Sequence, residues 1–449
     1  VREDLWRLLL LNTRCPELLD GDLRAMLGAT QVGAREIERL ARDLGSGTAA
    51  ALFEGMLEHA DRRMREAIAR LPDGIYEARE QYETDCFVER KIALRLCVTK
   101  TGDRMTVDFT GTDPQIRGFK NSSLANTYSA VYAGLSSFFD SDIPRNEGTF
   151  RAVAIVAPEG TLVNARPPAP VTMCTVFPAH EIMHMVWWAL GQADETRAIA
   201  GWGKNVFPVT SGRSQRDMTW VMYNWGGASG AGAVLGRDGF NQMGPMVTLG
   251  GLVIPNAETY EQLYPVTVRR HEFRLDGGGP GRFRGGSGIC FEAEILTEAQ
   301  YSLRGEGTAR PTGLGVAGGE AGAQGRLELT ETGKASVPRA PYAVISLGPA
   351  LISISSPGGG GFGDPFERDA DAVLRDVRDG IVSPAGAERD YGLVVSPDGK
   401  HVDREATAVR RRARGRLAAG PEPAPLATAP SRSQQPIGEP ILSETAAES

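Results

Sequence analysis

Pro357-Gly358-Gly359-Gly360-Gly361-Phe362-Gly363-Asp364-Pro365 is the stretch from which the rest of this chain is best read. Four consecutive glycines offer no side chain to pack or to react, so their contribution is conformational: positive φ, close backbone approach, or both. A flexible linker mixes Ser, Gln or Lys among its glycines. Here a Phe interrupts the run, and prolines fix φ at both ends. The run also follows a strand-like segment, Leu351 to Ser355. It predicts a shaped, folded loop that closes a β region.

Working back from it, the chain from about 218 reads as mostly β. Thr219–Asn224, Val266–Arg274, Ile289–Ile295, Arg326–Thr330 and Leu351–Ser355 are separated by glycine-rich turns. A second glycine loop runs from Asp276 to Gly286. Working forward, Ala370–Arg378 reads as a short helix, and Ser383-Pro384 starts another with Ser as N-cap and Pro at N1. Residues 404–416 are Arg-rich and helical in pattern, most simply a solvated face, with an acidic partner surface as the other reading. The Pro/Ala/Ser/Gln composition of 420–449 predicts a disordered tail.

The front half has a different grammar. Ile37, Leu40, Ala41 and Leu44 keep helical spacing, Gly45–Thr48 breaks it with Thr48 as N-cap, and Phe53 to Leu71 carries a second apolar stripe. Pro72-Asp73-Gly74 ends that helix. The period then becomes two: Ile92, Leu94, Leu96 and Val98 alternate, Thr101-Gly102-Asp103 turns, and Met105, Val107 and Phe109 alternate again, a β-hairpin. Tyr128–Phe139 is read as a helix, Ala152–Ala157 as a strand and Ala179–Leu190 as a buried helix. The fold class expected is therefore α+β: a helical segment over 1–75, a mixed α/β region over 76–215 and a glycine-rich, largely antiparallel β domain over 216–365. C-terminal helices over 366–418 and a tail over 419–449 complete it.

Composition narrows the functional classes. A chain of 449 residues with 41% hydrophobic and 23% charged residues describes a globular protein of more than one core. A net charge of −7 argues against a general nucleic-acid binder. No apolar stretch reaches the roughly 20 residues of a membrane span, and the opening residues do not read as a signal peptide. The five cysteines, at 15, 86, 97, 174 and 290, form no CxxC pair and read as reduced thiols of a cytoplasmic protein. The chain opens on Val1 directly into an amphipathic stretch, as a piece of something longer would.

His180-Glu181-Ile182-Met183-His184 is the sharpest chemical motif, an HExxH. On a helix its two histidines share a face, and zinc with Glu181 as general base is one reading. Trp187 and Leu190 stand where a metzincin extension needs Gly and His, and nothing in the sequence marks a third ligand from elsewhere, Glu195 being one example of a residue that could serve. The other reading is a polar helix face lining a pocket or interface. Asp108-Phe109-Thr110-Gly111-Thr112-Asp113-Pro114 ends a strand and reads as turn chemistry or as a substrate- or metal-orienting loop. Asn121-Ser122-Ser123 fits a glycosylation sequon that a cytoplasmic setting makes irrelevant. Two GxGxxG strings, Gly313–Gly318 and Gly358–Gly363, open no βαβ unit, and no P-loop or GxSxG elbow occurs.

Taken in order, several of these segments resemble the hydantoinase B / 5-oxoprolinase family. The matching elements begin with Glu3-Asp4-Leu5, Asn12-Thr13-Arg14 and Gly21-Asp22-Leu23-Arg24-Ala25. Leu71–Tyr76, Val107–Thr112, Ala157–Thr161, the Asp276–Gly286 loop, Gly313–Glu320 and the Pro357–Pro365 run follow. The resemblance implies a B-type subunit of an ATP-dependent cyclic-amide hydrolase acting on hydantoin- or 5-oxoproline-like lactams. A partner subunit of the hydantoinase A type, using ATP and Mg, would phosphorylate the amide oxygen, and a divalent metal (Zn, Mn or Fe) of the complete enzyme would activate the attacking water. This implies a hetero-oligomer in which this chain alone is inactive, binding a small substrate and neither nucleic acid nor membrane.

Two departures bear on that expectation. The family's Asn-Asp-Pro segment and its His/Asp metal ligands are expected upstream of Val1. Where hydrolase relatives carry an Asn-Val-Glu-Thr-like segment, this chain has Phe177–His184, and Gly250–Pro255 and Glu261–Pro265 are more similar to the ketone-carboxylase branch. The alternatives are thus a subunit of an acetone- or acetophenone-type carboxylase and a non-catalytic scaffold module, with a zinc protease more distant. His180, Glu181, His184, Asp108 and Asn121 are the candidate catalytic residues; none is assigned to a cofactor.

Overall fold

The computed structural model describes residues 2–13, 15–214, 218–244, 254–338, 342–396 and 400–418. The expected tail over 419–449 and the segment Gly250–Val253 lie outside the described residues. Three helices open the chain: α1 (Glu3–Leu11), α2 (Pro16–Leu44) and α3 (Ser46–Ala69). The break between α2 and α3 falls at Gly45, whose φ of 79° suits glycine, so Thr48 sits inside the first turn of α3 and caps nothing. Strands β1 (Gly74–Thr84), β2 (Glu89–Thr101), β3 (Arg104–Asp108) and β4 (Val153–Val156) form one sheet in that order. The β2–β3 hairpin has the expected register, with Val98 opposite Val107. β3 and β4 run parallel because α4 (Leu124–Phe138) lies between them in the chain.

α5 (Ala179–Ala193) and α4 pack on this sheet. Its apolar residues Ile182, Val186 and Leu190 join Leu94, Leu96, Val107, Val131 and Leu135 in the first core. β1 was not anticipated. Its inward face (Ala78, Glu80, Tyr82) carries a glutamate, which blurs the hydrophobic alternation by which a strand is read.

The second core lies between two antiparallel sheets. One comprises β7 (Val266–Phe273), β8 (Ile289–Ile295), β13 (Ala350–Ser355), β10 (Arg326–Glu331) and β11 (Val337–Pro338), in the order β11-β10-β13-β8-β7. The other is ordered β12-β9-β5-β6, from β5 (Val209–Arg213), β6 (Thr219–Tyr223), β9 (Ala299–Leu303) and β12 (Ala343–Leu347). Phe291, Ala293, Ile352 and Ile354 of the first face Trp220, Met222 and Tyr301 of the second. A short α6 (Ala257–Leu263) leads into β7.

Beside this sandwich the glycine loops are stacked backbone on backbone, with Gly358–Gly361 at their centre. A Cβ on Gly358, Gly359, Gly360 or Gly361 would stand 1.7, 1.9, 2.1 or 2.1 Å from the carbonyl oxygens of Gly277, Ala231, Leu314 and Pro280. Close approach, and not positive φ, is what these four require; Gly363 alone in the run has φ of 75°. Their N–H groups donate to Ala323, Gly286, Gly201 and Glu320 carbonyls at 2.8–3.0 Å, so the run has no donors left for a phosphate.

α7 (Ala370–Arg378), α8 (Pro384–Tyr391) and α9 (Arg404–Ala418) close the described chain, with Ser383 capping α8 as expected. The buried Arg368 ties them down, donating to Asp238 at 2.7 Å and Asp376 at 2.8 Å. In α9, Arg410 pairs with Glu388 at 2.6 Å and Arg411 donates to the Arg368 carbonyl, so part of the expected solvated face is a clamp.

Candidate functional site

The two cores meet at a chain of buried ionisable groups. α5 begins after the Phe177–Pro178 turn and lays His180, Glu181 and His184 on its face toward β1, all completely or almost completely buried. From β1, Glu80 and Tyr82 point inward by the two-residue alternation of the strand. Lys120 enters from the segment before α4 and Lys204 from the Gly201–Phe207 connection. Glu306, Arg310 and Tyr342 arrive from the β sandwich.

The contacts form two linked Lys–Glu–Tyr sets. Lys204 Nζ lies 2.7 Å from Glu181 Oε1 as an ion pair. The Tyr82 hydroxyl donates to Glu181 Oε2 at 3.0 Å. In the second set, Lys120 Nζ and the Tyr342 hydroxyl both donate to Glu306 Oε1 at 2.6 Å. Lys120 joins the sets, its ammonium 4.2 Å from the Tyr82 ring centre and 4.5 Å from that of Tyr342, a cation–π sandwich. Glu80 extends the chain, with Lys204 at 3.7 Å, His184 Nδ1 at 3.4 Å and Arg310 at 3.3 Å. Three carboxylates (Glu80, Glu181, Glu306) thus face three cations (Lys120, Lys204, Arg310), the neutrality that makes such burial tolerable.

Environment separates the two α5–β1 glutamates. Burial alone raises the Glu80 carboxyl, but Lys204, the hydrogen bond from His184 and Arg310 outweigh it and hold the group well below the usual carboxylate range. At Glu181 burial, opposed by Lys204 and reinforced by Glu80, leaves the pKa above that of an ordinary glutamate. Burial pulls Lys204 down, but Glu181, Glu80 and Glu306 overcome it and keep it charged. With that ammonium at 2.7 Å and Tyr82 donating to the other oxygen, the resting state is the Lys204–Glu181 ion pair. Burial pushes Tyr82 and Tyr342 well above the usual phenol range, so both stay protonated.

The histidines do not form a zinc site. The Trp202 N–H donates to His184 Nε2 at 2.8 Å, which leaves the proton on Nδ1, facing Glu80. His180 Nε2 is 3.3 Å from the Trp202 carbonyl. Burial, more than any neighbour, lowers both pKa values, and both rings are neutral. Both nitrogens of His184 are therefore engaged, and Glu181 is held by Lys204 and Tyr82. Among the described residues no group of three or more His, Cys, Asp or Glu is placed to hold a metal ion. The HExxH residues of this chain are taken up by protein neighbours and do not by themselves fit a zinc site.

The remaining sequence candidates lie apart from the chain of charges. Asp108 ends β3, and its Oδ1 accepts from the Thr110 N–H at 2.8 Å, which is turn chemistry. Asn121 is wholly buried; its amide donates to the Ile116, Gly118 and Pro170 carbonyls at 2.9–3.0 Å and its oxygen accepts from the Ile116 N–H. It shapes the segment that carries Lys120. Glu80, Tyr82, Lys120, Lys204, Glu306, Arg310 and Tyr342 were not anticipated. The one signal was lysine set among apolar and glycine neighbours, in Gly118-Phe119-Lys120 and Gly201-Trp202-Gly203-Lys204.

The charge chain opens on a cleft. Tyr342 and Glu83 line a cavity of about 880 Å³ between the β1–β2 turn, residues 308–309 and the start of β10. Glu83 also pairs with Arg310 at 3.0 Å, so the cleft wall is tied to the network at two points. One wall is the Asp85–Val88 turn, in which Asp85 Oδ1 accepts from Phe87 and Val88 N–H and Cys86 takes φ of 80°. Such strain in a non-glycine residue is maintained only where surroundings over-determine it. Here Gly118 supplies that fit, since a Cβ there would stand 2.0 Å from the Asp85 carbonyl oxygen.

A buried, charge-balanced network between two cores thus borders a cleft, and similarity to known proteins identifies the class. The profile of the hydantoinase B/oxoprolinase family matches residues 1–365, and the chain belongs to that family. It is 35% identical over 427 residues to the caprolactamase subunit beta of Pseudomonas jessenii, covering 92% of this chain and 72% of that protein. The crystal structure of the ATP-dependent caprolactamase from the same organism superposes with a TM-score of 0.83 at 33% identity, over 92% of this chain and 72% of that one. The nucleotide-free structure of acetone carboxylase gives a TM-score of 0.74 at 19% identity, over 86% and 58%, a likeness of fold alone. No described helix is long and apolar enough to cross a membrane.

Proposed function

We propose that this chain is the B-type subunit of an ATP-dependent hydrolase of cyclic amides. The observation that carries the reading is the 35% identity, across 92% of the chain, to a caprolactamase subunit beta. In the reaction one water adds across a ring C–N bond, its oxygen to the carbonyl carbon, giving a carboxylate and an amine. A neutral amide is a poor electrophile, which is why ATP would be spent on it by a partner subunit of the hydantoinase A type with Mg. Beyond the two sequence segments named above, the carboxylase alternative has a fold likeness at 19% identity, which supports no reaction. The divalent metal implied by the resemblance is given none of this chain's described groups.

Within the reading, the residues divide by exposure. Tyr342 borders the cleft and is the group of the network that meets a ligand. His180, Glu181, His184 and Lys204 are buried positioning residues: they fix the charge and orientation of Tyr82, Lys120 and Glu306 behind the cleft wall. The test is reconstitution with the partner ATPase subunit. ADP formation that depends on caprolactam, hydantoin or 5-oxoproline, with release of the ring-opened acid, is expected. ADP formation that requires a ketone and bicarbonate would replace this reading with the carboxylase, and no ADP with any of them would leave the scaffold module.

A further inference from the structure

The cleft beside Tyr342 contains a cation that the fold leaves without a counter-charge. Of its other basic lining residues, Arg90 pairs with Asp85 at 3.4 Å, Arg326 pairs with Glu328, and Lys91 is an exposed side chain solvated at the rim. Arg274 differs. It leaves the end of β7 half-buried, and its Nη1 donates to two backbone carbonyls, Gln324 at 2.5 Å and Ser356 at 3.1 Å. Among the described residues no carboxylate lies within ion-pair distance of it. Burial correspondingly pulls its pKa below the usual guanidinium value, although a guanidinium stays charged. Taking a cation out of water with no anion beside it is costly unless something else supplies the anion. The two carbonyl bonds hold the fork in place without neutralising it.

The rest of the wall suits a short organic body. Phe87 and Val88 stand on the strained turn with 60% and 56% of their surface exposed, and Thr84, Thr308 and Gln324 add polar groups around them. Glu89, also lining the cleft, has no cationic partner among the described residues. The cleft therefore offers a fixed guanidinium, an apolar wall and a carboxylate at its rim. A volume of about 880 Å³ is within the range of small-molecule sites.

We propose that this cleft binds a small aliphatic carboxylate, its carboxylate on Arg274 and its carbon body against Phe87 and Val88. The inference rests on the cyclic-amide reading above for the ligand class. Two sources share the chemistry: the ω-amino acid released when a lactam ring opens, whose ammonium would lie toward Glu89, and a lactam that itself carries a carboxylate. Arg274 is then a binding residue that distinguishes a carboxylate from an uncharged amide, a discrimination a charge-assisted hydrogen bond supports at about tenfold or more.

The experiment is calorimetric titration of the full 449-residue chain with 6-aminohexanoate, 6-aminohexanamide, 5-oxoproline and caprolactam. Saturable binding of 6-aminohexanoate at least about tenfold tighter than its amide is expected, since the pair differs in the carboxylate alone. If 5-oxoproline binds and 6-aminohexanoate does not, the source is the substrate; the converse makes it the product; either upholds the site. Arg274→Gln should remove the preference for the carboxylate, and Val88→Trp, a change at an exposed rim position, should block both without touching the guanidinium. Measurable and equal affinity for acid and amide, binding unchanged in Arg274→Gln or Val88→Trp, or no saturable heat from either carboxylate at millimolar ligand would overturn it. Turnover is read separately. Lactam hydrolysis by the reconstituted enzyme without carboxylate binding here sinks the subsite and leaves the function. Carboxylate binding without lactam turnover upholds the subsite and removes the function it was drawn from.

Discussion

Replacing Lys204 by Met tests whether the buried charges are one balanced network. The side chain is 1% exposed, and its ammonium lies 2.7 Å from Glu181 and 3.7 Å from Glu80. Methionine fills most of the stem's volume, so the cavity term is small and the lost charge dominates. The variant leaves Glu181 and Glu80 buried with one cation fewer, and removing one partner of a buried pair costs about 3–5 kcal/mol. A protein with two cores need not unfold in one step, so a local reporter is preferable to a melting temperature. The Trp202 N–H donates to His184 Nε2 beside the network, and its native-state hydrogen exchange reports the opening of this region. A loss of 3–5 kcal/mol corresponds to exchange faster by about a hundredfold to several thousandfold. The double variant Lys204→Met/Glu181→Leu removes the stranded charge with the lysine and should recover much of that loss, because the two sites are directly coupled. Exchange within a few fold of wild type in Lys204→Met, or no recovery in the double variant, would refute the reasoning.

Three further outcomes follow from the same geometry. His180 and His184 have pKa values lowered by burial, so the stability they contribute is present above about 6.5 and is lost as pH falls below it, while the folded state resists taking up the protons. Unfolding midpoints measured from pH 7.5 down to 5 should fall, and His180→Gln should flatten that slope; a slope unchanged in the variant would contradict the assignment. In the reconstituted enzyme His180→Ala and Glu181→Gln should lower turnover while far-UV circular dichroism stays that of wild type, and wild-type rates in both would remove the network from the reaction. Gly359→Ala places a Cβ about 1.9 Å from the Ala231 carbonyl oxygen, and since backbone cannot yield as a side chain can, a loss of about 3 kcal/mol or more is expected by denaturant titration. Gly333→Ala, at φ of 80° on an open turn with nothing within 4 Å, should cost less, and the reverse order would be evidence against the stacked-backbone account.

Much of the architecture was legible because it is written in local periodicity. α5 and the β2–β3 hairpin are set by apolar spacing, and α8 by a Ser-Pro start, all of which act over a few residues. β1 was not legible, because a buried glutamate interrupts its apolar face, and β5, β9 and β12 are short strands whose partners lie far away in the chain. The site shows the same division. HExxH drew attention to the helix that carries part of the buried charge network, but its spacing suggested a metal, while the fold gives His184 to a backbone N–H and to Glu80. No local pattern joins Lys120 to Glu306, which are 186 positions apart.

The glycine run marks the boundary between the two kinds of information. Its composition was enough to exclude a linker and to predict a shaped loop, because four residues without side chains leave only backbone to do the work. Which use of glycine it represents depended on tertiary structure. Close approach requires another chain segment to approach, and the carbonyls of Gly277, Ala231, Leu314 and Pro280 are supplied by loops far away in sequence. The charge network is decided in the same way: burial and pairing give Glu181 and Lys204 their chemistry, and both arise only when β1, α5 and the Gly201–Phe207 connection are folded together.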